Sequence, residues 1–290
     1  MNYILHILIM IGIYSILIYS LNLTIGYSGL LTFCHAAFYG IGAYAFTLIS
    51  IKFNLPFIPA LSFAIIFTGL VSFLLGFPAL RFRGDSFVLV TFGFQMIIFT
   101  ILYNWISLTR GPYGIPGIPR PVIVHGITID SLPEYFLLVL VCNLIFLSFL
   151  LLLYSSPFGL VLKSLRDDER LAESLRKPPF KNFLYAFTIS GAISAVAGAL
   201  YASYVIYIDP TSFGIEESIF QVSILLLGGS GNIKGPFVGV LFMVIFPEIL
   251  RFLGLPDTIA PNVRQMIYGA LLITLMFIRP KGLAGEFVVK

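Results

Sequence analysis

Residues 1–51 read MNYILHILIMIGIYSILIYSLNLTIGYSGLLTFCHAAFYGIGAYAFTLISI and contain no Asp, Glu, Lys or Arg. Lys52 is the only fully charged side chain among the first 80 residues. A helix needs about 20 apolar residues to cross the hydrocarbon core of a bilayer, so this one stretch is long enough for repeated crossings. A soluble domain draws about a quarter of its residues from the charged types. Here only 10% of 290 residues are charged and 59% are hydrophobic, with a mean hydropathy of +1.01. Such a chain cannot build a water-facing surface, and its outer solvent is lipid.

Working outward, further charge-free runs cover 53–80, 86–109, 135–162 and 182–208, followed by a broken apolar region from 218 to 278. The chain reads as an all-α integral membrane protein, a polytopic bundle of about eight spans (roughly 7–10), with broken or half helices in both halves. The connections leave no room for a soluble domain, so 1–290 reads as one transmembrane domain. The net charge of +4 fits basic residues retained on the cytoplasmic side better than nucleic-acid binding. Cys34 and Cys142 lie in apolar runs and read as small packing residues. No basic segment precedes the first apolar run, so a cleaved signal peptide is not expected.

Three basic clusters set the orientation: Arg81 with Arg83; Lys163, Arg166, Arg170, Arg176, Lys177 and Lys181; and Arg279, Lys281 and Lys290. Together they hold 11 of the 17 basic residues, and the positive-inside rule places all three, the C-terminus included, in the cytoplasm. The 86–109 run then crosses outward, 110–134 lies outside, 135–154 returns and 182–208 crosses out again. No charge marks the side on which Met1 lies. The outer connection, about 109–134, opens with TRGPYGIPGIPRP (109–121), whose prolines and glycines exclude a helix. It suits a structural cap or a docking surface for an external partner.

Glycine interrupts the apolar pattern in the same way twice, at Gly26-Tyr27-Ser28-Gly29 and at Gly228-Gly229-Ser230-Gly231. Each break costs helix stability and frees backbone groups that lipid cannot satisfy. Paired breaks in two halves suit a transporter built from internal repeats, with its pathway at the repeat interface; close helix packing is the other reading. Gly191, Ala195, Gly198 and Ala202 share one helical face and read as packing. His35 is an ionisable group in mid-span, as is His6, and either marks a pathway or bonds a neighbouring helix. Asp209, Glu216 and Glu217 read as an outer mouth, with Asn232 and Glu248 deeper.

The polar segment SPFGLVLKSLRDDERLAESLRKPPFKN (156–182) reads as an amphipathic cytoplasmic helix over about 158–175. Val161, Leu165, Ala172 and Leu175 lie on one arc, with Lys163, Asp167, Arg170 and Ser174 opposite. Asp167 pairs with Arg170 and Arg170 with Glu173 at i,i+3, and Pro178-Pro179 ends the helix. Mixed-sign charge disfavours a lipid anchor and favours a protein partner. No G-x-x-x-x-G-K-[ST] loop occurs, so an ATP motor would be a separate chain.

In order along the chain stand GYSGLLTFCHAAFYGIGAY (26–44), FPALRFRGDSFVLVTFGFQMI (77–97), TRGPYGIPGIP (109–119), SPFGLVLKSLRDDERLAESL (156–175), LYASYVIYIDPTSF (200–213), LLGGSGNIKGPFVGVL (226–241) and IYGALLITLMFIRPKGL (267–283). This series resembles the LivM-type permeases of branched-chain amino-acid ABC importers. The resemblance implies a non-enzymatic inner-membrane translocation subunit that binds no cofactor itself. A homologous LivH-like permease, two cytoplasmic ABC ATPases that use the ATP, and an extracytoplasmic solute-binding protein would complete the importer. It implies ATPase coupling through Arg166, Asp167, Asp168, Glu169, Arg170, Ala172 and Glu173. The pathway candidates are Gly26, Ser28, Gly29, His35, Gly228, Gly229, Ser230, Gly231 and Asn232. The family commonly follows its cytoplasmic helix with a Leu-Gly pair, where this chain has Leu175-Arg176-Lys177-Pro178-Pro179. Permeases for urea and short amides share the family pattern, so the solute stays open. A self-sufficient channel or secondary transporter is the other reading, and would want ionisable groups at bilayer depth.

Overall fold

The computed structural model describes residues 2–122, 129–251, 269–270 and 282–285. Among these, six helices are long and apolar enough to cross a membrane: Tyr3–Tyr27, His35–Phe53, Phe57–Ala79, Asp85–Asn104, Leu132–Ser155 and Pro179–Val205. We label the helices α1 (Asn2–Asn22), α2 (His35–Phe53), α3 (Phe57–Ala79), α4 (Asp85–Asn104), α5 (Ile106–Thr109), α6 (Leu132–Ser155), α7 (Pro157–Asp167), α8 (Glu169–Ser174), α9 (Pro179–Val205), α10 (Ile215–Gly228) and α11 (Lys234–Arg251). The last turn after α1, Leu23–Tyr27, widens to π-helical geometry. Two short strands, β1 (Ile115–Pro116) and β2 (Tyr207–Ile208), pair antiparallel with Ile115 opposite Ile208. The chain is thus a polytopic helical membrane protein, as the charge-free runs require.

Lipid tails are as apolar as leucine, so helices associate in a membrane by close packing and internal hydrogen bonds. The small-residue face of α9 supplies that packing. A Cβ on Gly198 would stand 2.2 Å from the Tyr39 carbonyl oxygen, and one on Gly42 2.3 Å from Ala195 Cα. Helices α2 and α9 therefore cross backbone to backbone. Helix α6 joins α1 through the Asn143 amide, which donates to the Gly12 carbonyl at 3.0 Å. The apolar core falls into one cluster around α2, α3 and α9 and a second between α1, α10 and α11.

The connections sort onto two faces in the expected alternation. Arg83 pairs with Glu169 at 2.6 Å and its guanidinium lies over the Phe183 ring at 5.6 Å, so the α3–α4 turn shares a basic face with α7 and α8. On the opposite face, the Phe57 amide donates to the Val122 carbonyl at 3.0 Å, and β1 pairs with β2. The start of α1, which no charge marked, belongs to this second face: His6 Nδ1 lies 2.6 Å from the hydroxyl of Tyr204 at the end of α9. Arg279, Lys281 and Lys290 lie outside the described residues, as does part of the 109–134 connection. Residues 283 and 284 pack on the basic face, where their amides donate to the Leu227 and Gly228 carbonyls at 2.9 Å.

The cytoplasmic-type segment departs from expectation. It is not one helix over 158–175 but two, broken at Asp168, whose backbone is extended (φ −151°, ψ 101°). Asp168 Oδ1 accepts the Leu171 amide at 3.0 Å and starts α8 anew. A side chain that caps well competes with helix continuation. The break rotates the apolar arc: Leu162, Leu165 and Ala172 are buried, while Leu175 is 68% exposed. The ion pairs of this segment are Arg166 with Asp167 and Arg83 with Glu169, in place of the expected i,i+3 pairs.

Candidate functional site

Two of the helices begin inside the bundle. After Tyr27 the chain turns at Gly29 (φ +71°), a backbone angle suited to glycine. It then runs back without helix through residue 34 before α2 starts at His35. His35 Nε2 lies 2.9 Å from Ser20 Oγ, about 10 Å of helix rise from Tyr27 toward the opposite face. In the other half, α9 ends at Ile206 and β2 follows. A 3-10 turn at Pro210–Phe213, capped by Asp209, then leads into α10 at Ile215. So α1 descends to the basic face and α2 starts deep and rises, whereas α9 rises and α10 starts deep and descends. The two units run in opposite senses. Thr32-Phe33-Cys34 precedes one buried start and Ser212-Phe213-Gly214 the other.

A helix start exposes amides that lipid cannot satisfy, and a polar cluster at this depth satisfies them. The Ala36 amide donates to Ser218 Oγ at 3.2 Å, the Ala37 amide to Gln95 Oε1 at 2.7 Å, and the Phe33 amide to Thr91 Oγ1 at 3.3 Å. Gln95 Nε2 donates onward to the Phe213 carbonyl at 2.8 Å, and Ser218 Oγ to Gln95 Oε1 at 3.2 Å. Thr91, Gln95 and Ser218 are fully buried. Gln95 thus ties α4 to both interior starts. The sequence reading missed it, although a glutamine inside VTFGFQMIIF is itself the signal.

The two glycine breaks meet, but not at this depth. Gly26–Gly29 closes a full-length span instead of separating two half-segments, and Gly228–Gly231 lies at the same basic-face end. Asn22 bridges them: its Oδ1 accepts the Gly231 amide at 3.0 Å and its Nδ2 donates to the Asn232 carbonyl at 2.9 Å. A Cβ on Gly26 would stand 2.5 Å from the Gly231 nitrogen. Because α10 runs opposite to α2 and not to α1, the two motifs are neighbours across a seam and not copies in an inverted repeat. Ser28 Oγ donates to the Leu23 carbonyl at 3.0 Å, and Ser230 is buried. Asn232 Oδ1 accepts the Gly235 amide at 2.7 Å and so opens α11, while its Nδ2 donates to the Ala284 carbonyl.

Arg166 connects this seam to α7. Its Nη1 donates to the Gly26 carbonyl at 2.7 Å, its Nε to Asp167 Oδ1 at 2.9 Å, and its side chain packs on Gly29. Lys163 sits over the Tyr27 ring at 4.9 Å. Arg170 and Glu173 face outward on α8, and Ala172 packs inward. Glu217 corrects the expectation of an outer mouth. Its Oε1 accepts from the Tyr14 hydroxyl at 3.2 Å, and Tyr14 is midway along the Tyr3–Tyr27 span. Of Glu248, only the helical backbone is described.

Inverted units, interior helix starts and a polar seam on the basic face define a membrane permease. The chain belongs to the family described as branched-chain amino acid transport system / permease component, which it matches over residues 3–276. It is 33% identical to the high-affinity branched-chain amino acid transport system permease protein LivM of Salmonella typhimurium, over 93% of this chain and 67% of that protein. The same figures hold against LivM of Escherichia coli. A probable branched-chain amino acid transport permease protein LivM of Methanocaldococcus jannaschii is 27% identical over 97% of this chain and 92% of its own length. No solved structure gives a significant match.

Proposed function

We propose that this chain is the translocation subunit of an ABC-type importer for branched-chain amino acids in the cytoplasmic (inner) membrane. It works beside a homologous LivH-like permease, two cytoplasmic ATPases and an extracytoplasmic binding protein. Family membership over nearly the whole chain, with the two LivM proteins at 33% identity, is the observation that carries this reading. The basic face is cytoplasmic by the positive-inside rule, and the C-terminal residues packed there lie on the same side. ATP is hydrolysed elsewhere, since the sequence has no phosphate-binding loop.

In this reading the ATPases dock on α7 and α8. Movement there passes through Arg166 to the Gly26 carbonyl, and so to the seam between Gly26–Gly29 and Gly228–Asn232, which opens and closes the inner end of the pathway. His35 positions the buried start of α2. The test is the reconstituted importer carrying Asp167→Asn, Asp168→Asn and Glu169→Gln together. ATP hydrolysis is expected to continue while leucine uptake falls, with insertion of the chain intact. Undiminished uptake would remove the docking role, and uptake by this chain alone in liposomes without ATPases would overturn the subunit assignment.

A further inference from the structure

Glu217 stands in the first turn of α10, half-buried and at mid-membrane depth. Its Oε1 accepts two hydrogen bonds from neutral donors, the Tyr14 hydroxyl at 3.2 Å and Gln221 Nε2 at 3.1 Å. Among the described residues the ion pairs are Arg83–Glu169 and Arg166–Asp167, so no basic side chain is paired with this carboxylate there. An uncompensated carboxylate at such depth is costly and is retained where it faces a pathway or cavity.

Two further groups show what the site lacks. Gln221 is fully buried and its Oε1 has no hydrogen-bond partner. The same amide holds Glu217 through Nε2, so the free oxygen stands beside the carboxylate. Tyr39 is 2% exposed and its hydroxyl is likewise unpartnered. Its ring packs against Tyr201 at 5.7 Å and Phe213 at 5.1 Å, and the Ala36 amide, one turn earlier, donates to Ser218 Oγ at 3.2 Å, which sets the first turn of α2 against the first turn of α10. The carboxylate and the amide oxygen are acceptors without a cationic donor, and the Tyr39 hydroxyl, which can accept as well as donate, is a third group left unsatisfied. The complement is a cation carrying several N–H donors, and a primary ammonium has three. Aromatic walls favour a cation further.

We propose that Glu217, Gln221 and Tyr39 form a transient station for the α-ammonium group of the amino acid halfway through the membrane. This rests on the amino-acid importer reading above. The experiment measures leucine delivered per ATP consumed by the complete reconstituted importer. Glu217→Gln keeps the shape and the two internal hydrogen bonds but removes the charge. Loss of one charge-assisted contact predicts a fall of about tenfold in that ratio. Glu217→Asp is expected to recover part of the loss, which a purely structural role would not produce. A Glu217→Gln ratio equal to wild type overturns the station. A wild-type complex that hydrolyses ATP yet moves no amino acid overturns the importer reading itself. Should Glu217→Gln fail to assemble, Tyr39→Phe decides. It removes only an unpartnered hydroxyl, so a lowered ratio supports the station and an unchanged one refutes it.

Discussion

Replacing Gly26 by alanine tests whether the two glycine breaks are held together as described. The new methyl would stand 2.0 Å from Asn22 Oδ1 and 2.5 Å from the Gly231 nitrogen. Asn22 can rotate away, but it then releases the Gly231 amide and the Asn232 carbonyl, which it now holds at 3.0 and 2.9 Å. Gly231 cannot rotate away, because the obstructing atom is backbone. Two lost hydrogen bonds at about 1 kcal/mol each, plus the cost of leaving buried groups unpaired, come to about 2–5 kcal/mol. For a chain of this size that corresponds to a melting temperature lower by roughly 3–8 °C. The assay is thermal unfolding of the purified chain in detergent, with Gly93→Ala as control. A Cβ at Gly93 meets nothing within 4 Å, so the control is expected to be neutral or stabilising by up to about 1 kcal/mol. If both variants melt together, the seam is not packed as argued.

Two other substitutions probe the interior. Gln95→Leu keeps the volume but strips partners from the Ala37 amide, the Phe213 carbonyl and Ser218; a cost of about 2–5 kcal/mol is expected. Denaturant or thermal unfolding checks it, with Thr91→Val, which breaks the long bond from the Phe33 amide and a bond to the Val88 carbonyl within its own helix, as the milder comparison. Gly198→Val drives a branched side chain into the Tyr39 carbonyl. Overpacking of about 3 kcal/mol or more is expected, read as loss of monodisperse protein in size-exclusion chromatography.

Six of the spans, and the common face of the first two basic clusters, were legible because charge is so scarce that each such cluster is a marker. The small-residue face of α9 was legible too, since helical spacing alone brings Gly191, Ala195, Gly198 and Ala202 together. The interior starts of α2 and α10 were not. Leu30–Cys34 contains no proline or glycine, and only tertiary partners such as Gln95 and Ser218 make a helix start there tolerable. The depth of Glu217 was hidden for a related reason: an acidic pair just after Asp209 reads as surface until the chain is seen to dip inward. The split at Asp168 had a local signal, a capping aspartate in a run of alternating charges, but amphipathic periodicity on both sides concealed it. The seam between the two glycine motifs joins residues about 200 positions apart, and no local pattern reports such a contact.

The small clasp between Ile115–Pro116 and Tyr207–Ile208 has a mechanical result. It fastens the proline-rich connection, on the face opposite the basic clusters, to the very segment that dips inward through Phe213. A displacement of that connection is therefore expected to reach the Gln95 tether and the first turn of α10 along one short piece of main chain.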